Sequence, residues 1–329
     1  MSPKKKPQVS IVVPGCNEEG NIHQLYVELM KVLSALNMSW EIIFSDDGST
    51  DRTWQEVVAL YRNDARVKGV RLSKNFGHQY ALFAGLSQST GDAVITMDAD
   101  LQHPPDIIPK LVDEWRKGNK IVHTIRLDPE NISLVKKSAS KLFYKIFSLL
   151  SGVPLESGMA DFRLLDRQVV DSVLQLREEG LFLRGIVQWV GYSNSTVSFQ
   201  CQDRFSGTSK YTLKKMVKFA FDGITSFSLI PLRISIYIGV ITSLVAFGEM
   251  SYAILIRIFT DTAVPGWASA VGILSFLFGI LFILLGVIGD YIGRILVEVR
   301  SRPRYLISEQ VGIEVVKEDF IKCAVRDHT

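Results

Sequence analysis

The stretch that decides the fold is Ala93-Val94-Ile95-Thr96-Met97-Asp98-Ala99-Asp100-Leu101-Gln102-His103-Pro104-Pro105. Five apolar or β-branched residues read as a buried strand, and two carboxylates, one residue apart, follow at its C-terminal end. In open α/β sheets that end is where ligands bind. Two carboxylates so close are both ionised cheaply only beside a cation. A divalent ion with hard oxygen ligands, bridging to a diphosphate, gives the arrangement a purpose. An Asp-x-Asp by itself recurs by chance; its place at a strand end and the trailing Gln-x-Pro-Pro make it specific.

The chain on either side of this stretch alternates short apolar runs with helical patterns, which predicts a mostly parallel α/β sheet. Before it come strands over Val9–Val13, Glu41–Ser45 and Val67–Leu72, with helices over Ile22–Leu36, Thr53–Tyr61 and Gln79–Gln88. After it, Pro104-Pro105 opens a helix to about Lys117, and Ile121–Ile125 is a further strand. Residues 127–134 read as a loop, Val135–Leu150 as a helix, and residues 158–165 and 195–203 as strands flanking a helical stretch. A second carboxylate pair, Asp46-Asp47, ends the second strand and leads into Gly48-Ser49-Thr50-Asp51. In a parallel sheet it faces the same crevice as Asp98 and can accept from ribose hydroxyls or a base N–H. Helix capping is the competing use; the reading here is that Asp51 caps and Asp47 binds.

No G-x-G-x-x-G follows a strand and there is no Walker lysine motif, which argues against a dehydrogenase and a P-loop enzyme. The net charge of +3 over 329 residues does not suggest nucleic acid. Cys16, Cys201 and Cys323 are scattered, with no metal-type spacing, and fit a reducing compartment. The basic N-terminus precedes an apolar run too short for a signal peptide, so the soluble part is expected in the cytoplasm.

The last third changes character. Ile234–Ile256 carries one charge, Glu249, and Trp267–Gly289 carries none. About 20 apolar residues cross a bilayer core of roughly 30 Å, so each run is long enough. The alternative, two buried helices of a soluble bundle, conflicts with the absence of a polar face. Lys214, Lys215, Lys218 and Arg233 precede the first run and Arg294, Arg300, Arg302 and Arg304 follow the second. The intervening loop has Asp261 and no Lys or Arg. By the positive-inside rule both termini are cytoplasmic. Leu213–Ser228 reads as an interfacial amphipathic helix, with a plain linker helix as the alternative. The organisation expected is a catalytic domain over residues 1–210, a juxtamembrane helix over 211–230, a transmembrane hairpin over 231–295 and a cytoplasmic tail over 296–329.

Taken in order and spacing, Val13-Pro14…Asn17-Glu18, Asp46-Asp47-Gly48-Ser49, Asn75-Phe76-Gly77 and Asp98-Ala99-Asp100-Leu101-Gln102 resemble the inverting glycosyltransferase family 2, which has the GT-A fold. Within it the chain is similar to the polyprenyl-phosphate branch, which includes bactoprenol glucosyltransferases and dolichol-phosphate mannose synthases. That branch shares two C-terminal spans and the tail Gly289-Asp290-Tyr291-Ile292-Gly293-Arg294…Arg302-Pro303-Arg304-Tyr305. The likeness runs from about Val9 to about Ile307.

The resemblance implies a nucleotide-sugar donor, a polyprenyl-phosphate acceptor and Mg²⁺ or Mn²⁺ held by Asp98, Asp100 and Gln102. It implies a donor pocket at Pro14, Asn17, Glu18, Asp47 and Asp98, and phosphate contacts from Arg126, Arg204, Ser209 and Lys210. Asp161, in Asp161-Phe162-Arg163-Leu164, matches a catalytic base or acceptor positioner; a structural Asp161–Arg163 pair is the competing reading. The position after Arg126 is often basic in relatives, whereas Leu127-Asp128-Pro129-Glu130 is acidic here, with Lys136 or Lys137 as substitutes. His78 and His103 are taken as supporting or surface residues. A bacterial inner membrane is implied, with a second copy of the chain and a flippase as candidate partners, and O-antigen or another envelope glycan as the destination. UDP-glucose is the favoured donor; UDP-galactose, an N-acetylhexosamine or aminoarabinose donor and GDP-mannose are alternatives. A processive synthase is disfavoured because Gln188-Trp189 lacks the Gln-x-x-Arg-Trp spacing, and a degenerate binding protein because the motif carboxylates are intact.

Overall fold

A computed structural model describes residues 7–127, 158–176, 181–200, 230–259 and 266–313. The chain divides into two compact units, one holding the sheet and one holding the two long apolar helices.

The sheet unit begins β1 (Val9–Gly15), α1 (Glu19–Leu33), β2 (Trp40–Asp46), α2 (Thr53–Asn63), β3 (Val67–Leu72), α3 (His78–Gln88) and β4 (Ala93–Thr96). A 3₁₀ turn, Pro105–Ile107, leads to α4 (Ile108–Arg116), and β5 (Ile121–Leu127) follows. Then come β6 (Met159–Asp166), α5 (Arg167–Gln175), α6 (Leu183–Trp189), β7 (Asn194–Gln200) and, near the chain's end, β8 (Ile307–Val311). The strand order is β7-β5-β6-β4-β1-β2-β3-β8. β1 lies parallel to β2 and β4, and β2 parallel to β3. Val9, Ile11, Val12 and Val13 are all buried, as the continuous apolar run requires of a strand covered on both faces. Against that sheet α1 buries Ile22, Leu25, Leu29 and Leu33, spaced three and four apart. Each such side chain contributes about 1.5–3 kcal/mol through its burial.

Two features of the sheet position the site. The register Gly15↔Asp46 and Val12↔Thr96 brings the C-terminal ends of β1, β2 and β4 to one edge. The return strand β6 is antiparallel to β4, with Thr96 opposite Arg163. Continuing that register by two residues sets Asp98 beside Asp161. The close seating of α3 on β1 depends on Gly85, where a Cβ would run into the Val12 side chain.

β8 is the element not foreseen from the sequence. It lies in the stretch read as a cytoplasmic tail, yet it adds antiparallel to the free edge of β3. Ile-Ser-Glu-Gln-Val is too short and too polar for its alternation to stand out. The helices read over Leu213–Ser228 and Val135–Leu150 fall outside the described residues.

The second unit consists of α7 (Ile230–Phe259) and α8 (Trp267–Arg300). Both are long and apolar enough to cross a membrane, over Leu232–Tyr252 and Gly272–Arg300. Almost none of either stretch is buried within the chain, and Phe247, Phe276, Phe282 and Ile283 are among the large apolar side chains left exposed. The soluble-bundle alternative requires those faces to be covered, and among the described residues they are not. α8 continues past Gly289 with an Asp290–Arg294 pair at 2.9 Å and ends at Ser301, in the left-handed conformation.

Candidate active site

The loop after β4 is shaped by its own side chains. The Asp98 N–H donates to His103 Nδ1 at 3.0 Å, and the Gln102 N–H donates to Asp100 Oδ1 at 3.1 Å. Leu101 between them takes a left-handed φ of 61° while its side chain is buried, a conformation that costs a residue with a Cβ of order 1–2 kcal/mol. His103 is buried, stacked on Phe162 at 5.2 Å with Phe199 edge-on. With Nδ1 accepting, the ring proton must lie on Nε2, which faces Asp98 Oδ2 at 3.8 Å. His103 therefore supports the Asp98 backbone and places Nε2 near its carboxylate, in keeping with the supporting alternative read from sequence.

Asp98 Oδ1 is buried and has no hydrogen-bond partner among the described residues. Its near neighbour is His78 Nε2 at 3.4 Å, from the first residue of α3. An unsatisfied carboxylate oxygen at a strand end, with Asp100 and Gln102 as further oxygen donors, fits a hard divalent cation. Among the described residues no three His, Cys, Asp or Glu side chains form a closed metal cluster. Two carboxylates and an amide suit an ion that completes its shell with diphosphate and water.

Asp161 lies on β6, only 5% exposed. Arg163 Nη2 donates to its Oδ1 at 2.6 Å, and Arg184 of α6 spans both oxygens, Nε at 2.9 Å and Nη2 at 2.8 Å. His78 Nε2 is 3.9 Å from Oδ2. Burial by itself raises the Asp161 pKa, but Arg184 and then Arg163 outweigh it and hold the carboxyl far below the usual range. Asp161 is thus a fixed anion at neutral pH. The Asp161–Arg163 pair weighed from sequence is present; Arg184, which sequence reading did not single out, is the larger influence. Its signal was an arginine inside the apolar run Phe182-Leu183-Arg184-Gly185-Ile186-Val187. Beside this cluster His123 is buried with both ring nitrogens unpartnered among the described residues, and burial, then Arg163, drives its pKa down to about 3.

The ends of β1 and β2 are bound to each other. Pro14 is buried. Asn17, at φ 58°, donates its N–H to Ser49 Oγ at 2.9 Å and accepts from the Thr50 N–H at 2.9 Å. The Glu18 N–H donates to Thr53 Oγ1 at 2.8 Å. Asp47 accepts from the N–H groups of Phe76 at 2.8 Å and Gly77 at 3.0 Å, so it fastens the loop that leads to His78. Burial pushes its pKa up despite those bonds. Gly48, at φ 64°, permits this contact, since a Cβ there would strike the Lys74 backbone. Asp51 accepts from the Thr53 N–H at 3.0 Å, the first N–H of α2. The N-cap position itself falls on Arg52, one residue later than the Asp51 read from sequence, and makes no side-chain cap. Cys16 is half-buried and burial raises its pKa, which keeps the thiol protonated.

Arg126 is exposed at the end of β5, its N–H bonded to Gly158 O at 2.9 Å. Arg204, Ser209, Lys210, Lys136 and Lys137 lie outside the described residues, as do Cys201 and Cys323.

With strand ends, paired carboxylates and arginines in view, the comparisons decide the family. Glycosyl transferase family 2 matches residues 10–174. The chain belongs to glycosyl transferase family 2. It is 42% identical over 307 residues to an uncharacterized glycosyltransferase of Synechocystis sp. (strain ATCC 27184 / PCC 6803 / Kazusa), covering 93% of this chain and 96% of that one. It is 39% identical over 307 residues to the uncharacterized glycosyltransferase YkcC of Bacillus subtilis (strain 168), covering 93% and 95%. It is 38% identical over 303 residues to the bactoprenol glucosyl transferase of Shigella phage SfX, covering 92% and 99%. The GT-A class of fold expected from sequence is the one observed, and this glycosyltransferase has relatives in the branch its motifs pointed to.

Proposed function

We propose that this glycosyltransferase moves a hexose, glucose from UDP-glucose in the first instance, onto a polyprenyl phosphate such as undecaprenyl phosphate, with inversion at the anomeric carbon. The observation that carries the reading is the pairing of two unlike carboxylates at one sheet edge: Asp98 with an unsatisfied oxygen, and Asp161 saturated by Arg163 and Arg184. The first suits a cation-bound diphosphate, the second an arginine-rich acceptor site. Two apolar helices and the name of the phage relative support a lipid acceptor.

Asp98, Asp100 and Gln102 would hold Mg²⁺ or Mn²⁺, which would supply positive charge to the departing diphosphate. Asn17 and Glu18, in the loop tied to Ser49 and Thr53, line the nucleotide side. An acceptor phosphate oxygen attacks C1 of the sugar, the new C1–O bond forms as the C1–O bond to the diphosphate breaks, and the nucleoside diphosphate leaves with the electron pair. A phosphate monoester is largely a dianion at neutral pH, its second pKa being about 6. It needs no base, which agrees with an Asp161 whose two arginines hold its pKa too low for it to take up a proton readily. Asp161 instead fixes Arg184, whose planar guanidinium suits phosphate, while Arg126, Arg204, Ser209 and Lys210 complete the acceptor contacts. The enzyme sits in a bacterial inner membrane with both termini cytoplasmic. Its lipid-linked sugar passes through a flippase to O-antigen or another envelope glycan.

The test is transfer from labelled UDP- and GDP-sugars to undecaprenyl phosphate by purified protein, with Mn²⁺ or EDTA. Label in the lipid fraction from UDP-glucose, abolished by EDTA, is the expected result. Label from another donor replaces the sugar assignment, and none from any donor overturns the reaction.

A further inference from the structure

Arg71 of β3 takes no part in the chemistry above, yet each of its guanidinium nitrogens faces its own oxygen. Nη1 and Nη2 donate hydrogen bonds, and Nε makes an ion pair with an Asp46 oxygen that has no hydrogen-bond partner among the described residues. Nε faces Asp46 Oδ2 at 3.3 Å, Nη2 donates to Ser49 O at 3.1 Å, and Nη1 donates to Glu309 Oε1 at 2.7 Å. Glu309 lies on β8, the strand that follows the second apolar helix. Its other oxygen accepts from Trp54 Nε1 of α2 at 2.9 Å. Beyond Arg71 the path leads straight into the nucleotide side. Asp46 takes both the N–H and the hydroxyl of Ser49, and Ser49 Oγ receives the Asn17 N–H at 2.9 Å. Asn17 is the residue held in the left-handed conformation.

We infer that Glu309 is a positioning residue for the donor pocket, acting through Arg71 on the Asp46–Ser49–Asn17 loops. Asp46 is buried, and burial pushes its pKa up against Ser49 and Arg71. Its charge and its hold on Ser49 therefore depend on where the Arg71 guanidinium lies. Glu309 fixes the third corner of that planar group, and Trp54 fixes Glu309. The neighbouring residues brace the same strand: the Tyr305 hydroxyl is 2.9 Å from Ser87 Oγ, and the Arg304 guanidinium lies over Phe83 at 4.6 Å. Both partners are on α3, the helix that begins at His78. The segment from Arg304 to Val311 thus grips β3, α2 and α3 together, and a strand beyond the membrane helices becomes part of the nucleotide pocket.

This rests on the donor reading proposed above, and the experiment separates the two. Full-length protein is titrated with UDP in Mn²⁺ by calorimetry, with GDP as the comparison, and KM is measured for donor and acceptor separately. Glu309→Ala is expected to weaken UDP binding and raise the donor KM about tenfold, the order of one lost charge-assisted hydrogen bond. The acceptor KM stays unchanged. Glu309→Gln stays folded by thermal melt, but its single carbonyl oxygen serves Arg71 or Trp54 and not both, so it recovers only part of the loss. UDP binding in both variants equal to wild type overturns the inference and leaves the donor reading standing. A matched rise in both KM values also overturns it, since that is general loosening. Wild-type protein that binds neither UDP nor GDP overturns the donor reading, and this inference with it.

Discussion

Along one sheet edge this glycosyltransferase carries two sets of carboxylates that look alike in sequence and differ in use. At the ends of β1 and β2, Asp46, Asp47 and Asp51 face backbone N–H groups, a serine, a threonine and Arg71. Most of their acceptor capacity goes into joining three loops, while Asp46 Oδ2 is buried with only the Arg71 ion pair beside it. At the ends of β4 and β6, Asp98 keeps a buried oxygen unsatisfied, and Asp161 is matched against two guanidiniums rather than against the backbone. Backbone N–H groups are fixed by the fold, so carboxylates bound to them shape it, whatever lone pairs they also offer a ligand. Arginines and an unsatisfied oxygen leave charge for something outside the chain to complete.

The contrast breaks most sharply at Asp100. Asp100→Ala is expected to lower transfer by about 10³-fold or more, since charge stabilisation of the leaving group is lost, with the melting temperature unchanged. Turnover that survives with the same response to EDTA would remove the metal assignment. Asp161 comes next, because its substitution acts on fold and chemistry together. Asp161→Asn leaves Arg163, 2% exposed, without its counter-charge, a loss of the order of 3–5 kcal/mol in stability. Arg184→Lys is gentler and sharpens the question of a base. Weakening Arg184 lets the Asp161 pKa rise from its depressed position. If Asp161 took the proton, the acid limb of the kcat profile would move to higher pH. The expected limb stays where the acceptor phosphate puts it, near pH 6, while the acceptor KM rises.

What could be read from sequence follows from how local each signal is. β1, β2, β3 and β4 were legible because a doubly covered strand is a continuous apolar run, and Asp98-Ala99-Asp100 was legible because it ends one. The pairing of Asp161 with Arg163 was weighed from their spacing on a strand. Arg184 was not seen: it meets Asp161 from a helix 23 positions on, a contact that no local pattern announces. The place of His103 could not be fixed because it depends on a backbone turn at Leu101 that no residue type announces. β8 lacked any local signal, since its partner strand lies more than 230 residues upstream. The apolar helices were plain from composition.

The smallest effect tests the other half of the contrast. Asp51 accepts from the N–H and hydroxyl of Thr53 and from the Glu19 N–H at 3.3 Å, so it fastens the starts of both α1 and α2 without facing the site. Asp51→Ala should cost about 1 kcal/mol, as for a lost helix cap, and leave both KM values unchanged. Burial raises the Asp51 pKa, but the bonds from Thr53 and Glu19 outweigh it and set the folded value below the usual one. A carboxylate depressed on folding stabilises fully above its unfolded pKa of about 3.9 and loses that contribution as pH falls through the lower folded value. The gap in stability between wild type and Asp51→Ala, followed by denaturant titration, should therefore be constant from pH 7 to 5 and shrink below pH 4. A gap that persists undiminished in acid would mean that packing, not the ionised carboxylate, does the joining. A change in donor KM would move Asp51 from the scaffold set to the working one.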